Sequence, residues 1–189
     1  SNILTTFGSS QCVRVQGGAH WSIVGNQMRD GATGVYVEDG DGIIQGNYVY
    51  SQSSYGVDLR GAAVTDVAVI GNFIREATTM GVRMLNSPTD CIVKDNVIID
   101  SGGGVSTSGS GHVIRNNVGH ATEAHGTGQV DDAATTEVVT HGMAGTPTHV
   151  EVQTSGDELL WVTDIGATTF TVNRSGSSGN RAFTWRGLI

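Results

Sequence analysis

One pattern is written four times in this sequence, as NQMRDGATGVYV (26–37), NYVYSQSSYGVDL (47–59), NFIREATTMGVRM (72–84) and NVIIDSGGGVST (96–107). Each copy begins with Asn and contains a Gly-Val pair eight or nine residues later. A fifth Asn follows at Asn117, so the repeated Asn residues are 21 to 25 residues apart. A repeat of this length indicates that one structural unit recurs along the chain and stacks on its neighbours.

Each repeat contains two short runs with apolar residues at alternate positions. The first run surrounds the Asn, as in VIGNFI, and the second begins with Gly-Val, as in GVYV. Alternation at a period of two predicts strands, and two or three strands per repeat match one turn of a parallel β-helix. We predict two inward apolar ladders, formed by Ile23, Ile44, Val69, Val93 and Ile114 and by Val35, Val57, Val82 and Val105. The repeated Asn is predicted to form a third ladder, in which side-chain amides bond to one another at a corner.

The motif GN-x-I followed by GV resembles the repeats of the right-handed parallel β-helices of the pectate-lyase-like superfamily, over residues 1 to about 120. The resemblance implies a right-handed coil. It leaves the activity open, because lyases, hydrolases, epimerases and inert viral fibres share this fold.

The period ends after Asn117. The stretch GHATEAHGTGQVDDAATTE (119–137) is polar, rich in Gly and without alternation, so residues 121–135 are predicted to be a connector. Five short runs follow, VVTHGM, THVEVQT, ELLWVTDI, TTFTVNR and RAFTWRGL, and they predict a small antiparallel β-sandwich over residues 136–189.

This last segment resembles the small C-terminal domain that follows many phage and virus tail-fibre shafts, and the resemblance implies a homotrimer. Physical considerations also favour a partner. About 54 residues make a marginal core, and the end of a β-helix exposes unpaired strand edges. A closed threefold assembly would cover both. The predicted fold class is therefore all-β, a right-handed parallel β-helix (1–120) followed by a β-sandwich (136–189), in a homotrimer.

Composition limits the partners. The net charge is −8, with Lys94 the single lysine, so neither a nucleic-acid partner nor an anionic membrane surface is expected. No run of 18 apolar residues predicts membrane insertion. Residues 1–20 already have the pattern of the middle of a fold, and we expect a fragment of a longer protein. Cys12 and Cys91 fall on distant coils and are predicted to be unpaired apolar fillers.

The outward residues of the Asn strands are apolar, which is unusual for a face in water. We predict that they form the trimer interface. The alternative is a register shifted by one residue, which would place them in the core. The predicted interface residues are Tyr48, Ile70, Phe73, Val97 and Val118.

The outward residues of the Gly-Val strands combine carboxylates, guanidiniums and an aromatic ring, which are groups that bind sugar faces and hydroxyls. The alternative is a solvated face with Asp58–Arg83 and Glu38–Arg60 ion pairs between coils. The predicted carbohydrate-binding residues are Tyr36, Glu38, Asp58, Arg60 and Arg83.

The sequence gives weaker support for a catalytic role than for sugar binding. Glu38 or Asp39 with Asp58 could provide the two carboxyls of an inverting glycosidase. Asp39 with Asp41 in EDGDG could ligate Ca²⁺ for a lyase, although EDGDG is also an ordinary turn. None of the six histidines has zinc-like spacing. We therefore expect no metal site and no cofactor, with Ca²⁺ as the alternative.

The leading expectation is a virion tail-spike or tail-fibre fragment, located outside the cell, that binds a host cell-surface polysaccharide. One alternative is a polysaccharide-degrading enzyme, either a glycoside hydrolase or a lyase. The other is a purely structural shaft and trimerisation module.

Overall fold

The computed structural model describes residues 2–6, 9–154, 157–176 and 178–189. These residues form twenty-one strands and no helix, so the predicted all-β class is confirmed. None of the described residues belongs to a helix that could span a membrane. The chain divides into two units, Ser1–His120 and Ala121–Ile189.

The first unit is a parallel β-solenoid of five turns, with three strands in each turn. Sheet A contains β1 (Ile3–Thr5), β4 (Gln27–Arg29), β7 (Tyr48–Tyr50), β10 (Phe73–Arg75) and β13 (Val97–Ile99). Sheet B contains β2 (Gln11–Val15), β5 (Thr33–Val37), β8 (Tyr55–Arg60), β11 (Met80–Leu85) and β14 (Val105–Ser106). Sheet C contains β3 (Trp21–Val24), β6 (Gly42–Gln45), β9 (Ala68–Ile70), β12 (Ile92–Lys94) and β15 (Val113–Arg115).

The solenoid core is built from one inward column on each sheet. Both predicted apolar ladders are inward, on sheets C and B, with all members buried except the half-buried Ile114. Sheet A contributes the column Met28, Val49, Ile74 and Ile98, which is also buried. The alternative register, with Tyr48 and Phe73 in the core, is therefore wrong.

The Gly of each Gly-Val pair is required by packing inside the coil. A Cβ on Gly56 would lie 2.4 Å from Cγ2 of Ile74 and 2.6 Å from the carbonyl oxygen of Gly81. Gly34 and Gly81 have equivalent close contacts, with side chains of sheet A. The sheet A side chain thus fills the space that a side chain on sheet B would need, and only Gly fits there.

The corner between sheets C and A is a left-handed residue followed by the repeated Asn. The left-handed position has φ of 61° at Gly46, 62° at Gly71, 56° at Asp95 and 55° at Asn116. Gly, Asn and Asp are the residues that adopt this conformation at least cost. This explains why GN, DN and NN all occur at the corner.

The Asn ladder is confirmed, and the hydrogen bonds between its Asn residues all run in one direction, from each Asn to the Asn of the next coil. The Oδ1 of Asn72 accepts from the backbone N of Asn47 at 2.9 Å and from its Nδ2 at 3.0 Å. The Nδ2 of Asn72 donates to Oδ1 of Asn96 at 3.0 Å and to the carbonyl of Ile44 at 2.9 Å. The ladder extends back to Asn2, which the repeat pattern did not identify.

Both cysteines are free, as predicted. Cys91 is buried in the solenoid core, and burial raises the pKa of its thiol. A thiol held protonated in this way is a packing group, not a nucleophile.

His120 provides a pH-dependent contact at the last coil. Its Nδ1 accepts a hydrogen bond from the backbone N of Val105 at 3.2 Å, and burial lowers the pKa of the imidazole. Because protonation then favours the unfolded chain, the contribution of His120 is present above about pH 6.5 and is lost as pH falls toward the folded-state pKa. We expect His120→Gln to flatten the loss of melting temperature between pH 7.5 and pH 5. Parallel profiles for the two proteins would contradict this assignment.

The second unit contains two three-stranded antiparallel sheets, which share a core formed by Val130, Phe170, Val172, Phe183 and Trp185. Sheet D has the order β16 (Glu123–Val130), β21 (Arg181–Leu188), β18 (His149–Thr154). Sheet E has the order β17 (Thr136–Thr140), β20 (Thr169–Arg174), β19 (Leu160–Thr163). The predicted small sandwich is therefore present.

The predicted connector at 121–135 is wrong for most of its length, because Glu123–Val130 forms strand β16, paired with β21. Gly126 and Gly128 occupy inward positions of β16, so the sequence of this strand lacks the alternation of apolar and polar residues that predicts a strand. A Cβ on Gly128 would lie 2.4 Å from Cζ of Phe183, and one on Gly126 would lie 2.8 Å from Nε1 of Trp185. Two large aromatic side chains on β21 thus require glycines opposite them, and the strand carries no apolar signature in the sequence.

Candidate functional site

The outward side of sheet B carries the main cluster of charged and aromatic side chains on the solenoid. Parallel register aligns Arg14, Tyr36, Asp58 and Arg83 on successive coils. We call this surface the polar face, and it consists of Arg14, Gln16, Tyr36, Glu38, Tyr55, Asp58, Arg60 and Arg83.

Asp58 and Arg83 form the centre of the polar face. The Nε of Arg83 donates to Oδ1 of Asp58 at 2.9 Å, and Nη2 donates to Oδ2. Nη1 donates to the hydroxyl of Tyr55 at 2.6 Å, while Cζ lies 3.7 Å from the centroid of the Tyr55 ring. The Asp58 carboxylate raises the pKa of Arg83. This bidentate pair is therefore fixed by an aromatic contact as well as by charge.

Arg60 contacts Asp58 on its own strand and Tyr36 on the preceding coil. Its Nη2 lies 3.5 Å from Oδ2 of Asp58, and its Cζ lies 5.5 Å from the centroid of the Tyr36 ring. Its Nε is buried without a hydrogen-bond partner among the described residues. The side chain is 38% exposed, so the outer part of this guanidinium remains available.

Glu38 is held at the other end of the polar face. It accepts from Nη2 of Arg14 at 2.9 Å and from Nε2 of Gln16 at 2.7 Å, and these two hydrogen bonds lower its pKa. Burial and a hydrogen bond to Glu38 raise the pKa of Tyr36. The predicted Asp58–Arg83 pair is present, but the partner of Glu38 is Arg14, not the predicted Arg60.

Asp58 differs from the other predicted binding residues because its side chain is only 2% exposed. Arg60 and Arg83 cover it, so Asp58 positions guanidiniums and does not itself face solvent. Asp39 is exposed in the turn between β5 and β6. Asp41 accepts from the backbone N of His20 at 3.2 Å and contacts its Nδ1 at 2.6 Å. Over the described ranges, no group of three or more His, Cys, Asp or Glu side chains could hold a metal.

The residues predicted at the trimer interface lie on the outward side of sheet A, or beside it at the Asn corner. We call them the apolar stripe: Tyr48, Ile70, Phe73, Val97 and Val118. Tyr48 is 38% and Val118 57% exposed, while the other three are half-buried. The rings of Tyr48 and Phe73 stack at a centroid distance of 5.0 Å and an interplanar angle of 10°. Apolar side chains thus follow one another along successive coils at the surface.

Sequence reasoning missed Arg14, Gln16 and Tyr55 as members of the polar face. Arg14 lies one period before Tyr36, but its strand has Cys12 where the following coils have Gly, so the Gly-Val signature is absent. Tyr55 precedes a Gly-Val pair, and only the fold brings its ring beneath the guanidinium of Arg83. Counting back 22 residues from Tyr36 would have found Arg14.

Comparison with known families agrees with this architecture. The family model described as Right handed beta helix region matches residues 11–141, which is more than half of the chain. The chain therefore belongs to this family of right-handed β-helix proteins. No curated protein matches the chain. Membership defines the fold and leaves the function to the chemistry of the polar face.

Proposed function

We propose that this chain is the glycan-binding part of a virion tail spike or tail fibre, which acts outside the cell and recognises a cell-surface polysaccharide. The observation that carries the proposal is the polar face, where two tyrosine rings and three arginine side chains are fixed on a rigid parallel sheet. Aromatic rings suit the apolar faces of sugars, and guanidiniums suit their hydroxyls.

The mutual contacts of the polar face prepare it for binding. Arg83 is held by Asp58 and Tyr55, and Arg14 is held by Glu38. Immobilising long side chains costs about 0.5–1.5 kcal/mol each when it happens during binding. In this protein the long side chains of the polar face are already immobilised in the folded state. Binding does not incur that cost again, which favours affinity for a rigid ligand.

The same contacts favour binding over turnover. A glycosidase acid needs a raised pKa so that it is protonated near neutral pH. The pKa of Glu38 is instead lowered by Arg14 and Gln16, and both oxygens of Asp58 are engaged by arginines. The carboxylates of the polar face are therefore placed as ion-pair partners.

Arg60→Ala tests the glycan site. The guanidinium of Arg60 is partly exposed and has no bidentate partner among the described residues, so its loss should weaken glycan binding by about 10-fold or more. The readout is retention on an array of bacterial capsular and lipopolysaccharide glycans, followed by titration of the best binder. Arg75→Ala is the matched control, because Arg75 is similarly exposed but lies on sheet A.

Three other outcomes would redirect the assignment. Undiminished binding in Arg60→Ala would move the site away from the polar face. Release of new reducing or unsaturated ends from a bound glycan would favour the depolymerase alternative. Absence of retention on any glycan would favour a structural shaft and trimerisation module, for which the ion pairs of the polar face serve only to join successive coils.

Phe73→Asp tests the proposed homotrimer, which the apolar stripe supports. A carboxylate in the middle of the stripe would have to be desolvated in any interface that covers it. We expect the mass in solution, measured by light scattering, to fall from three chains to one. Ser53→Asp places the same charge on an exposed loop outside the stripe and should leave the mass unchanged. A Phe73→Asp protein that remains a trimer, or a wild-type monomer, would contradict the proposal.

A further inference from the structure

Sheet D of the second unit has a groove on its outward side, distinct from the polar face. Its volume is about 660 Å³, and it crosses all three strands, with Thr127 and Gln129 on β16, Ala182 and Thr184 on β21, and Gln153 on β18. A volume of this size is typical of sites for small ligands.

Strand register arranges the polar groups of the groove in a row. Thr127, Thr184 and Gln153 are direct partners across the three strands, and Gln129 is paired with Ala182 in the next outward row. Neighbouring strands lie about 4.8 Å apart, so two hydroxyls and a carboxamide follow one another over roughly 10 Å. Hydroxyls and carboxamides each offer both donors and acceptors.

Among the described residues, the lining of the groove contains no ionisable side chain. The nearest outward row, His125, Arg186 and Glu151, forms its charged edge. Arg186 already pairs with Glu123 at 2.7 Å, and Oε1 of Glu151 lies 3.4 Å from Nε2 of His149. A charged ligand would therefore lose its hydration without compensation inside the groove.

We infer that this groove binds a short neutral oligosaccharide. Sugar hydroxyls need paired donors and acceptors, which Thr127, Thr184 and Gln153 provide, and the methyl group of Ala182 offers a contact for the apolar side of a sugar ring. Gln129 offers mainly its carbonyl oxygen, because its Nε2 already donates to Asp131 at 2.8 Å. The inference does not rest on the proposed function of the polar face, because it uses another unit of the chain and a lining without charge.

The test uses the full chain and three neutral probes, maltotriose, cellotriose and triacetylchitotriose, with trigalacturonate as the anionic counterpart. Binding is measured by saturation-transfer NMR and titration. Thr184→Trp fills the groove from the central strand of sheet D and should weaken binding of a neutral probe by about 10-fold or more. Thr171→Trp, on the central strand of sheet E, is the matched control and should bind as the wild type does.

Gln153→Leu is a second, milder variant, which removes the carboxamide without filling the groove. It should also weaken binding, while its melting temperature reports that the fold is intact. Arg60→Ala should leave binding of the neutral probe unchanged, which separates this site from the polar face.

Several results would overturn the inference. These are the failure of all three neutral probes to bind the wild type at ~10 mM, equal binding by Thr184→Trp and wild type, or loss of binding in Arg60→Ala alone. Preference for trigalacturonate would contradict the neutral lining as the determinant of specificity. A change in oligomeric mass in Thr184→Trp without any effect on sugar binding would instead make the groove a contact between copies of the chain.

Discussion

Asn72→Leu is expected to lower the free energy of unfolding of the solenoid by about 3–6 kcal/mol. The side chain of Asn72 is buried, and it accepts two hydrogen bonds from Asn47 and donates to Asn96 and Ile44. Leu has a similar volume but makes none of these bonds. At least three buried polar groups then lose a partner, at about 1–3 kcal/mol each.

The measurement for Asn72→Leu is chemical denaturation followed by circular dichroism, with hydrogen exchange to locate the loss. Exchange should accelerate most at the amides of the two adjacent corners. Asn26→Leu is the matched control near the start of the ladder, where the Asn is only half-buried and water can replace the lost partners. We expect a cost of about 1 kcal/mol there. Equal costs at the two positions would show that the ladder is not a buried network.

Arg174→Met is expected to cost about 3–5 kcal/mol in the second unit. The guanidinium of Arg174 is fully buried and donates to three backbone carbonyls, those of Ala134 at 2.8 Å, Gly179 at 2.6 Å and Asp131 at 3.1 Å. It therefore joins two loops that are 40 or more residues apart from each other in sequence. Met fills the volume, but it leaves the three carbonyls without a donor and removes the ion pair of Nη1 with Glu158 at 3.9 Å.

Two further substitutions calibrate the Arg174 result. Arg174→Lys keeps the charge, but the compact ammonium lacks the planar array of donors with which the guanidinium contacts three carbonyls. We therefore expect an intermediate cost. Arg186→Met removes an exposed arginine whose pair with Glu123 is more than half exposed, and the expected cost is about 0–1 kcal/mol. Thermal melts should show the largest loss of melting temperature for Arg174→Met, a smaller loss for Arg174→Lys and the smallest for Arg186→Met. A cost for Arg174→Met as small as that for Arg186→Met would contradict the role of Arg174 as a buried link between the two loops.

The sequence carried the solenoid because the same constraint recurs in every coil. Inward residues such as Val57 and Val82 must be apolar, the Gly of the first three pairs must leave room for a sheet A side chain, and the corner must end in Asn. Each of these needs involves one turn of the solenoid and at most the turn next to it. They therefore appear as a period in the sequence, and the four coils that begin at Asn26, Asn47, Asn72 and Asn96, both apolar ladders and the free cysteines were predictable.

The polar face was only partly predictable. Alternation placed Tyr36, Asp58 and Arg83 on one outward column, and register confirms that alignment. Which charges pair is decided by side-chain reach across neighbouring coils, and a pattern of residue types does not contain that geometry. Glu38 therefore pairs with Arg14, and the buried Asp58 pairs with both Arg60 and Arg83.

The second unit shows the difference most clearly. By itself the sequence determined the solenoid and the five later strand signals, because their residues satisfy nearest-neighbour needs that recur or alternate. Only the tertiary structure decided strand β16, whose glycines are dictated by Trp185 and Phe183 more than 50 residues later in the chain. The same holds for Arg174, which donates to the backbone carbonyls of Ala134 and Asp131, 40 and 43 residues earlier in the chain. A contact that depends on the shape of a distant side chain, or on a backbone atom of any residue type, leaves no periodic mark in the sequence.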